Sequence, residues 1–243
     1  MSTLLDKTWY MTALQNGDLE LQGQFLHGSN YTFFGRVTHE GQQFEVVYKP
    51  TRGEQPLWDF PSGSLAKREV AAYLVSEGLG WDLVPPTVYR RKAELGPGSL
   101  QLYVQHDPNN HYFNFTDADR QRLRPVVTFD LVINNADRKG GHVILDPQDH
   151  FWLIDHGICF HVEDKLRTVI WDFAGETIPT CLLDDLRRFS QDLRKVEETL
   201  PDLLQFLRMG EVNSMRRRCE ELLESKVFPL PGNDRRMYPW PPV

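Results

Sequence analysis

Two aspartates, a lysine and a glutamate are spaced along this sequence as phosphoryl transfer requires. Asp137 lies in a polar loop after a mostly apolar, helix-like run, and Asp155 ends the apolar, strand-like run that follows. Carboxylates on adjoining loops can converge, so that one orients an attacking hydroxyl and the other holds a phosphate-bridging metal. Lys49 ends the strand-like segment FEVVYK and could reach the phosphates from a separate sheet. Glu69 could pair with that lysine and hold it extended.

Apolar periodicity and turn signals indicate the elements that would position these side chains. We predict a helix over 65–78 capped by Ser64, and a helix over 116–134 that Pro125 could break. The other predicted elements are a helix over 3–16, strands over 19–25, 36–39, 43–49, 84–90 and 101–105, a hairpin over 143–154, and helices over 182–225 with a break near 200–201.

This order of elements predicts an α+β fold with two lobes. Residues 1–105 would form a β-rich N-lobe with the sheet and one helix. Residues 106–243 would form a mainly helical C-lobe that carries the loop around Asp137 and the hairpin before Asp155. The chain shows no internal repeat and no low-complexity segment, and its length suits one large domain or two tightly joined lobes.

The composition indicates in which cellular compartment the protein would occur and which classes of partner it would bind. Hydrophobic residues make up 40% and charged residues 25%, as in ordinary globular proteins, and the net charge of −7 gives no general attraction to nucleic acids. Three cysteines without a C-x-x-C pair argue against a disulfide scaffold or a zinc site. We find no signal-peptide pattern and no run of ~18 apolar residues. We therefore expect a cytoplasmic protein without integral membrane association or a nucleic-acid partner.

Several short motifs occur together in a characteristic order. The loop reads Asn135-Ala136-Asp137-Arg138-Lys139-Gly140-Gly141-His142, and the later strand ends Ile154-Asp155-His156-Gly157. Upstream lie Tyr48-Lys49-Pro50 and the segment REVAAYLV over 68–75. These motifs resemble the N-x-D-R-x-x-x-N and I-D-x-G segments of the phosphatidylinositol 3- and 4-kinase superfamily. The resemblance is greatest to a bacterial branch related to type II phosphatidylinositol 4-kinases and HipA-type toxin kinases.

The resemblance implies a two-lobed, protein-kinase-like fold that uses ATP with Mg²⁺ or Mn²⁺. It implies that Asp137 is the catalytic-loop aspartate and Asp155 the metal-binding one. Lys49 would contact the phosphates with Glu69 as its partner. The backbone over 101–105 would face the adenine, and its candidate residues are Gln101, Tyr103 and Gln105.

Two positions depart from the family pattern, and the phosphate loop is unusual. His142 stands where the family has a metal-binding asparagine, and a neutral imidazole suits Mn²⁺ better than Mg²⁺. Lys139 replaces a family histidine and could neutralise phosphate charge. The turn HGSNYTFFG is no G-x-G-x-x-G, but the backbone at Ser29 and Asn30 could still cradle phosphate.

These observations favour an ATP-dependent phosphotransferase and leave alternatives open. The acceptor would be a protein or a soluble small molecule rather than a lipid, read by a rim of Lys165, Arg167 and Trp171. The departure at His142 equally suits a nucleotide-binding pseudokinase or regulatory scaffold. Transfer of AMP on a kinase-like fold is a further alternative. A metallohydrolase built from the neighbouring histidines of 142–161 lacks the spacing of a helical metal pair.

Overall fold

A five-stranded antiparallel sheet dominates the N-terminal part of the computed structural model, which describes residues 6–25, 30–232 and 237–243. The strand order is β1-β2-β3-β5-β4. The strands are β1 (Asp18–Gln24), β2 (Phe33–His39), β3 (Gln42–Pro50), β4 (Thr87–Arg90) and β5 (Gly98–Leu102). Since β3 is central, Lys49 near its end lies at the middle of the sheet.

The strands predicted over 84–90 and 101–105 are shifted, for different physical reasons. β4 begins only at Thr87 because Pro85 and Pro86 have no N–H group to donate to a ladder. β5 begins at Gly98 because β3 passes too closely for a side chain there. A Cβ on Gly98 would lie 2.3 Å from the carbonyl oxygen of Lys49. Helix α1 (Lys7–Asn16) covers the sheet through a small core that includes Leu14.

Helix α2 (Leu65–Leu79) connects the sheet region to the rest of the molecule. Ser64 occupies the N-cap position as predicted, but its hydroxyl donates to Pro61 O instead of capping the helix. Gly80 ends the helix in the left-handed conformation, at φ 75°. The buried apolar side chains of α2 belong to the same core as those of the C-terminal helices. This helix is therefore anchored to the C-terminal region as well as to the sheet.

The C-terminal region is mainly helical, with one small hairpin. The helix predicted over 116–134 is divided into α3 and α4, and Pro125 lies in the first turn of α4, where its missing N–H costs nothing. The elements of this region are α3 (Asp117–Gln121), α4 (Arg124–Ile133), β6 (Val143–Leu145), β7 (Phe151–Leu153), α5 (Thr180–Arg194), α6 (Val196–Thr199) and α7 (Met209–Ser225).

A sheet region followed by a helical region confirms the predicted α+β fold class. The hairpin of β6 and β7 and the helix interruption near 200–201 are confirmed as well. Among the described residues, no helix is both long and apolar enough to cross a bilayer.

Candidate active site

Lys49 joins two carboxylates that come from different parts of the chain. Its Nζ donates to Oε1 of Glu69 on α2 and to Oδ1 of Asp155, the latter at 3.0 Å. Burial alone would lower the pKa of Lys49, but the charges of Asp155 and Glu69 outweigh it and raise that pKa. The lysine is therefore a fixed cation between the sheet and the hairpin.

Glu69 is the buried member of this group, with its side chain only 4% exposed. Its second oxygen, Oε2, accepts a hydrogen bond of 2.9 Å from the backbone N–H of His156. Desolvation raises the pKa of Glu69 against the attraction of Lys49. Glu69 thus fixes both the lysine and the backbone that follows Asp155.

Asp155 follows β7 in a conformation that few residues other than glycine adopt. Its φ is 61°, and its side chain is 50% exposed. Lys49 lowers the pKa of Asp155 well below its usual range, so the carboxylate is ionised at neutral pH. The turn after the strand thereby presents an exposed anion beside the partly buried Lys49. Its left-handed backbone costs energy, and such strained positions cluster at functional sites.

A buried arginine, Arg138, fixes the loop that carries Asp137. Arg138 is fully buried; its Nε lies 2.8 Å from Oδ2 of Asp130 on α4, and its Nη1 donates to Ile154 O at 3.0 Å. Arg138 thereby joins this loop to the segment that follows β7. Asn135 completes the support, since it donates to Asp130 and accepts from the Asp137 N–H at 2.9 Å.

Asp137 belongs to this loop, and the pKa of its carboxyl group is close to neutral pH. Desolvation raises the pKa of Asp137 to about 6, opposed by Lys139 and assisted by the charge of Asp155. Lys139 Nζ is 3.6 Å from Oδ2 of Asp137. The charge of Arg167 also lowers this pKa. A carboxylate with this pKa can accept a proton near physiological pH.

His142 lies beside Asp155 and is neutral. Its Nε2 is 3.3 Å from Oδ2 of Asp155, and burial lowers the pKa of His142 to about 4 despite that carboxylate. The Lys139 N–H points at Nδ1 at 3.5 Å, which assigns the ring proton to Nε2. The sequence-predicted metal residues are thus neighbours. Within the described ranges, no three histidine, cysteine, aspartate or glutamate side chains converge on a common metal position.

A cleft of about 440 Å³ opens between the sheet and the hairpin. Among its walls are Lys49, Glu69, His142 and Asp155, together with Asn30, Gln101, Tyr103, Ile144 and Ile154. The Asn30 side chain accepts from the Gln55 N–H at 2.7 Å, and Gln101 donates to Thr87 Oγ1 at 2.8 Å. Gln105 is not in the wall, because its side chain bonds to Glu45 at the edge of the sheet. Ser29 lies outside the described residues.

The predicted rim does not converge as a unit. Lys165 is 2.9 Å from Asp59 and lies over the ring of Trp58, and Trp171 donates to Thr168 O. Of the three, Arg167 is the one whose charge lowers the pKa of Asp137. The neighbouring histidines also disperse: His150 bonds to Asp82 O and His161 to Asp59 O. The structure therefore contradicts a hydrolase centre built from them.

One buried residue of the site was missed by sequence reasoning. His156 is fully buried, with Nε2 3.0 Å from Nη2 of Arg138 and Nδ1 3.8 Å from Oε2 of Glu69. Burial lowers its pKa well below the usual value, so the ring is neutral. Its position in the I-D-x-G motif gave no signal, because the motif leaves that residue type open.

Comparison with known proteins gives one clear family relationship. No protein-family model matches the chain. Protein Rv2133c of Mycobacterium tuberculosis is 38% identical over 264 aligned positions, which cover 94% of this chain and 93% of that protein. The chain belongs to the Rv2133c family.

Two further proteins that resemble this chain, one in sequence and one in fold, are kinases. Phosphatidylinositol 4-kinase gamma 4 of Arabidopsis thaliana is 24% identical over 173 aligned positions, which cover 54% of this chain and 31% of the plant protein. The crystal structure of the proinflammatory kinase CtkA of Helicobacter pylori aligns with a TM-score of 0.53 over 88% of this chain and 94% of that one. At 11% identity this likeness concerns the fold alone. It confirms the predicted kinase-like fold.

Proposed function

We propose that this protein is an ATP-dependent phosphotransferase whose nucleotide binds in the cleft beside Lys49. The observation that carries the proposal is the contact of Lys49 with both Glu69 and Asp155 in the wall of that cleft. A phosphate-binding lysine, its supporting glutamate and a metal-binding aspartate are the groups that phosphoryl transfer from ATP requires together. Their assembly from β3, α2 and the end of β7 supports this function over an ordinary surface ion pair.

Asp137 has the properties of the group that would receive the proton of the acceptor hydroxyl. Its pKa of about 6 leaves it ionised at neutral pH yet basic enough to accept a proton. In the proposed step, the hydroxyl oxygen bonds to the γ-phosphorus, ADP leaves, and the hydroxyl proton passes to Asp137. Lys139, 3.6 Å from Asp137, would attract an anionic group of the acceptor, and the charge of Arg167 acts on the same carboxyl. We propose a protein or a soluble small molecule as that acceptor.

His142 and Asp155 would hold a divalent cation together with nucleotide phosphates. When bound, that cation would neutralise phosphate charge. One carboxylate and one imidazole would fill only part of the coordination shell of the metal. The remaining ligands would be water and nucleotide phosphates, as expected for a nucleotide-linked metal. The imidazole favours Mn²⁺ relative to an all-oxygen set. Nε2 of His142 must then lose the proton that faces Asp155, which its neutral ring allows by exchange to Nδ1.

The direct test measures label transfer and ADP release in the full chain. The protein is incubated with Mn²⁺ or Mg²⁺ and with ATP labelled on either the γ- or the α-phosphate. We expect label from the γ-phosphate only, and a loss of about 100-fold or more for Asp137→Asn. Asp184→Asn is the matched control, because that exposed aspartate of α5 pairs with Arg187 and does not line the cleft. Label from the α-phosphate would instead indicate AMP transfer.

A nucleotide-binding pseudokinase is the second candidate, favoured by the contact of His142 with Asp155. Nε2 of His142 lies 3.3 Å from Oδ2 of Asp155, so the two side chains can interact without a metal. This candidate predicts thermal stabilisation by ATP with no ADP release in either metal. Stabilisation without turnover would therefore decide for the pseudokinase, and absence of both would reject the two candidates.

A further inference from the structure

A separate cavity lies against helix α2, where the edge strand β4 meets the segment 205–206 of the helical region. Its volume is about 410 Å³, which is within the range of small-molecule sites. The described residues of its wall are Lys67, Tyr89, Arg91, Pro97, Gln205 and Phe206. None of them lines the cleft beside Lys49, so the proposed phosphoryl transfer leaves this cavity unexplained.

Lys67 and Arg91 bring two positive charges to this wall, and the surrounding protein does not neutralise them. Across the part of the chain that the structure describes, neither side chain makes an ion pair or a hydrogen bond. Their neighbours in sequence differ, since Arg68 pairs with the buried Glu211 and Arg90 donates to two backbone carbonyls. The described wall residues include no aspartate and no glutamate. The cavity thus presents two cations whose donors are available to a ligand.

An aromatic pair forms the apolar part of the same wall. The ring centroids of Tyr89 and Phe206 are 6.1 Å apart, and the ring planes are inclined at 55°. The Tyr89 hydroxyl lies 3.2 Å from Thr51 Oγ1, and Phe206 packs against the core of the helical region, so both rings are fixed. The carboxylate of Asp202 accepts from the Gln205 amide at 2.8 Å and not from either cation. Fixed rings beside unpaired cations suit a ligand that combines an aromatic ring with negative charge.

Helix α2 separates this cavity from the nucleotide cleft. Lys67 precedes Glu69 by two residues, and side chains at this spacing do not share a face of a helix. Glu69 lines the cleft, whereas Lys67 lines the second cavity. A ligand of the second cavity would therefore lie outside the proposed ATP site.

We propose that this cavity binds a small aryl phosphate, a molecule with one aromatic ring and a doubly charged head group. The ring would lie against Tyr89 and Phe206, and Lys67 and Arg91 would each donate to the phosphate. A phosphate dianion matches the two cations in charge, whereas a cationic head group would be repelled by both. The volume of the cavity suits one ring with its head group.

The test is calorimetric titration of the full chain with phenyl phosphate. We expect saturable binding that is about tenfold or more weaker in each of Lys67→Met and Arg91→Met, because each change removes a charge-assisted hydrogen bond. Lys92→Met is the matched control, because this exposed lysine follows Arg91 but does not line the cavity. Thermal melting should show that both variants fold like the wild type, since neither cation has a bonding partner among the described residues.

Three other probes define the ligand class. Phenyltrimethylammonium has the ring with a cationic head group and is expected not to bind. Inorganic phosphate lacks the ring and is expected to bind about tenfold or more weakly. N-acetyl-phosphotyrosine amide adds peptide groups beside the ring and is expected to bind more weakly than phenyl phosphate, because the cavity holds one ring with its head group.

Four results would overturn the proposal. The first is no binding of phenyl phosphate to the wild type. The second is unchanged binding in both Lys67→Met and Arg91→Met, which would place the ligand elsewhere, for example in the cleft. The third is equal binding of inorganic phosphate or of the cationic probe, since the ring or the charge would then play no part. The fourth is tighter binding of the capped phosphotyrosine, which would indicate a phosphorylated protein as the ligand.

Discussion

Nζ of Lys49 lies 3.0 Å from Oδ1 of Asp155, although 106 residues separate the two along the chain. The contact links β3 to the residue that follows the hairpin of β6 and β7. It depends on two local features, the central place of β3 in the sheet and the left-handed backbone of Asp155. An exposed carboxylate beside a partly buried lysine gives the cleft both the cation and the anion that a metal-linked nucleotide needs.

Replacing Lys49 by methionine is expected to destabilise the fold as well as abolish nucleotide binding. Glu69 would remain buried without its partner, which costs about 3 kcal/mol of unfolding free energy in comparable pairs. Glu69→Gln keeps the acceptor for the His156 N–H. The double variant should therefore regain part of that stability without regaining binding, as urea unfolding would reveal. Additive losses in the double-variant cycle would show that the two side chains are not coupled.

Turnover should rise with pH as Asp137 loses its proton. The pKa of about 6 places the midpoint of the acidic limb of kcat/KM near that pH. Asp137→Asn should abolish this limb along with most of the activity. An acidic limb of the same midpoint in the residual activity of the variant would assign the titration to another group.

The contribution of the Asp137 carboxyl group to the stability of the fold should decrease as pH rises. Its pKa moves from an ordinary 3.8 to about 6 on folding, so the folded chain holds the proton more tightly. The stabilising contribution is complete below pH 4 and is lost as pH rises through 6. Asp137→Asn should thus be more stable than wild type at pH 7, with the difference fading towards pH 4. Thermal melts across this range measure it, and a pH-independent difference would exclude the linkage.

His142→Asn should change the metal preference of the proposed reaction. An amide oxygen suits Mg²⁺, whereas the wild-type imidazole suits Mn²⁺. We expect the ratio of Mg²⁺-supported to Mn²⁺-supported ADP release to increase several-fold in the variant. His150→Asn provides the control, because that ring bonds to Asp82 O outside the cleft. An equal ratio in wild type and His142→Asn would remove His142 from the metal site.

A buried ion pair between Arg68 and Glu211 should prove important for the orientation of α2. Arg68 is adjacent to Glu69 and also donates to Cys159 O, while Glu211 lies in the first turn of α7. Glu211→Gln is expected to lose about 3 kcal/mol of stability because Arg68 stays buried without a charged partner. It should also lower turnover, since α2 carries Glu69. Glu220→Gln is the control, because that partly exposed glutamate of the same helix pairs with Arg194 and Arg216 near the surface, where ion pairs contribute little. Equal effects in the two variants would contradict this coupling.

Much of the architecture follows from local sequence signals, and the deviations have identifiable causes. Pro125 marks the start of α4, and the apolar runs after His142 mark the hairpin. The start of β5 at Gly98 depends on how closely β3 approaches, which is a tertiary fact. Periodicity places an apolar side chain on a face but contains no information about the separation of two strands.

The site shows the same division between local and tertiary information. The types and order of Lys49, Glu69 and Asp155 made their convergence predictable. The burial of His156 was not predictable, because it depends on Arg138 and Glu69, which approach the two nitrogens of its ring from distant parts of the chain. The pKa values of Asp137 and His142 likewise depend on desolvation, which only the packed structure determines.

A crystal structure with a non-hydrolysable ATP analogue and Mn²⁺ tests the central claim most directly. We predict phosphate oxygens at Lys49, the metal in contact with both Asp155 and His142, and the purine against the backbone of Gln101–Tyr103. A nucleotide bound elsewhere, or a cleft that stays empty at saturating analogue while Lys49 keeps its contact with Asp155, would contradict it.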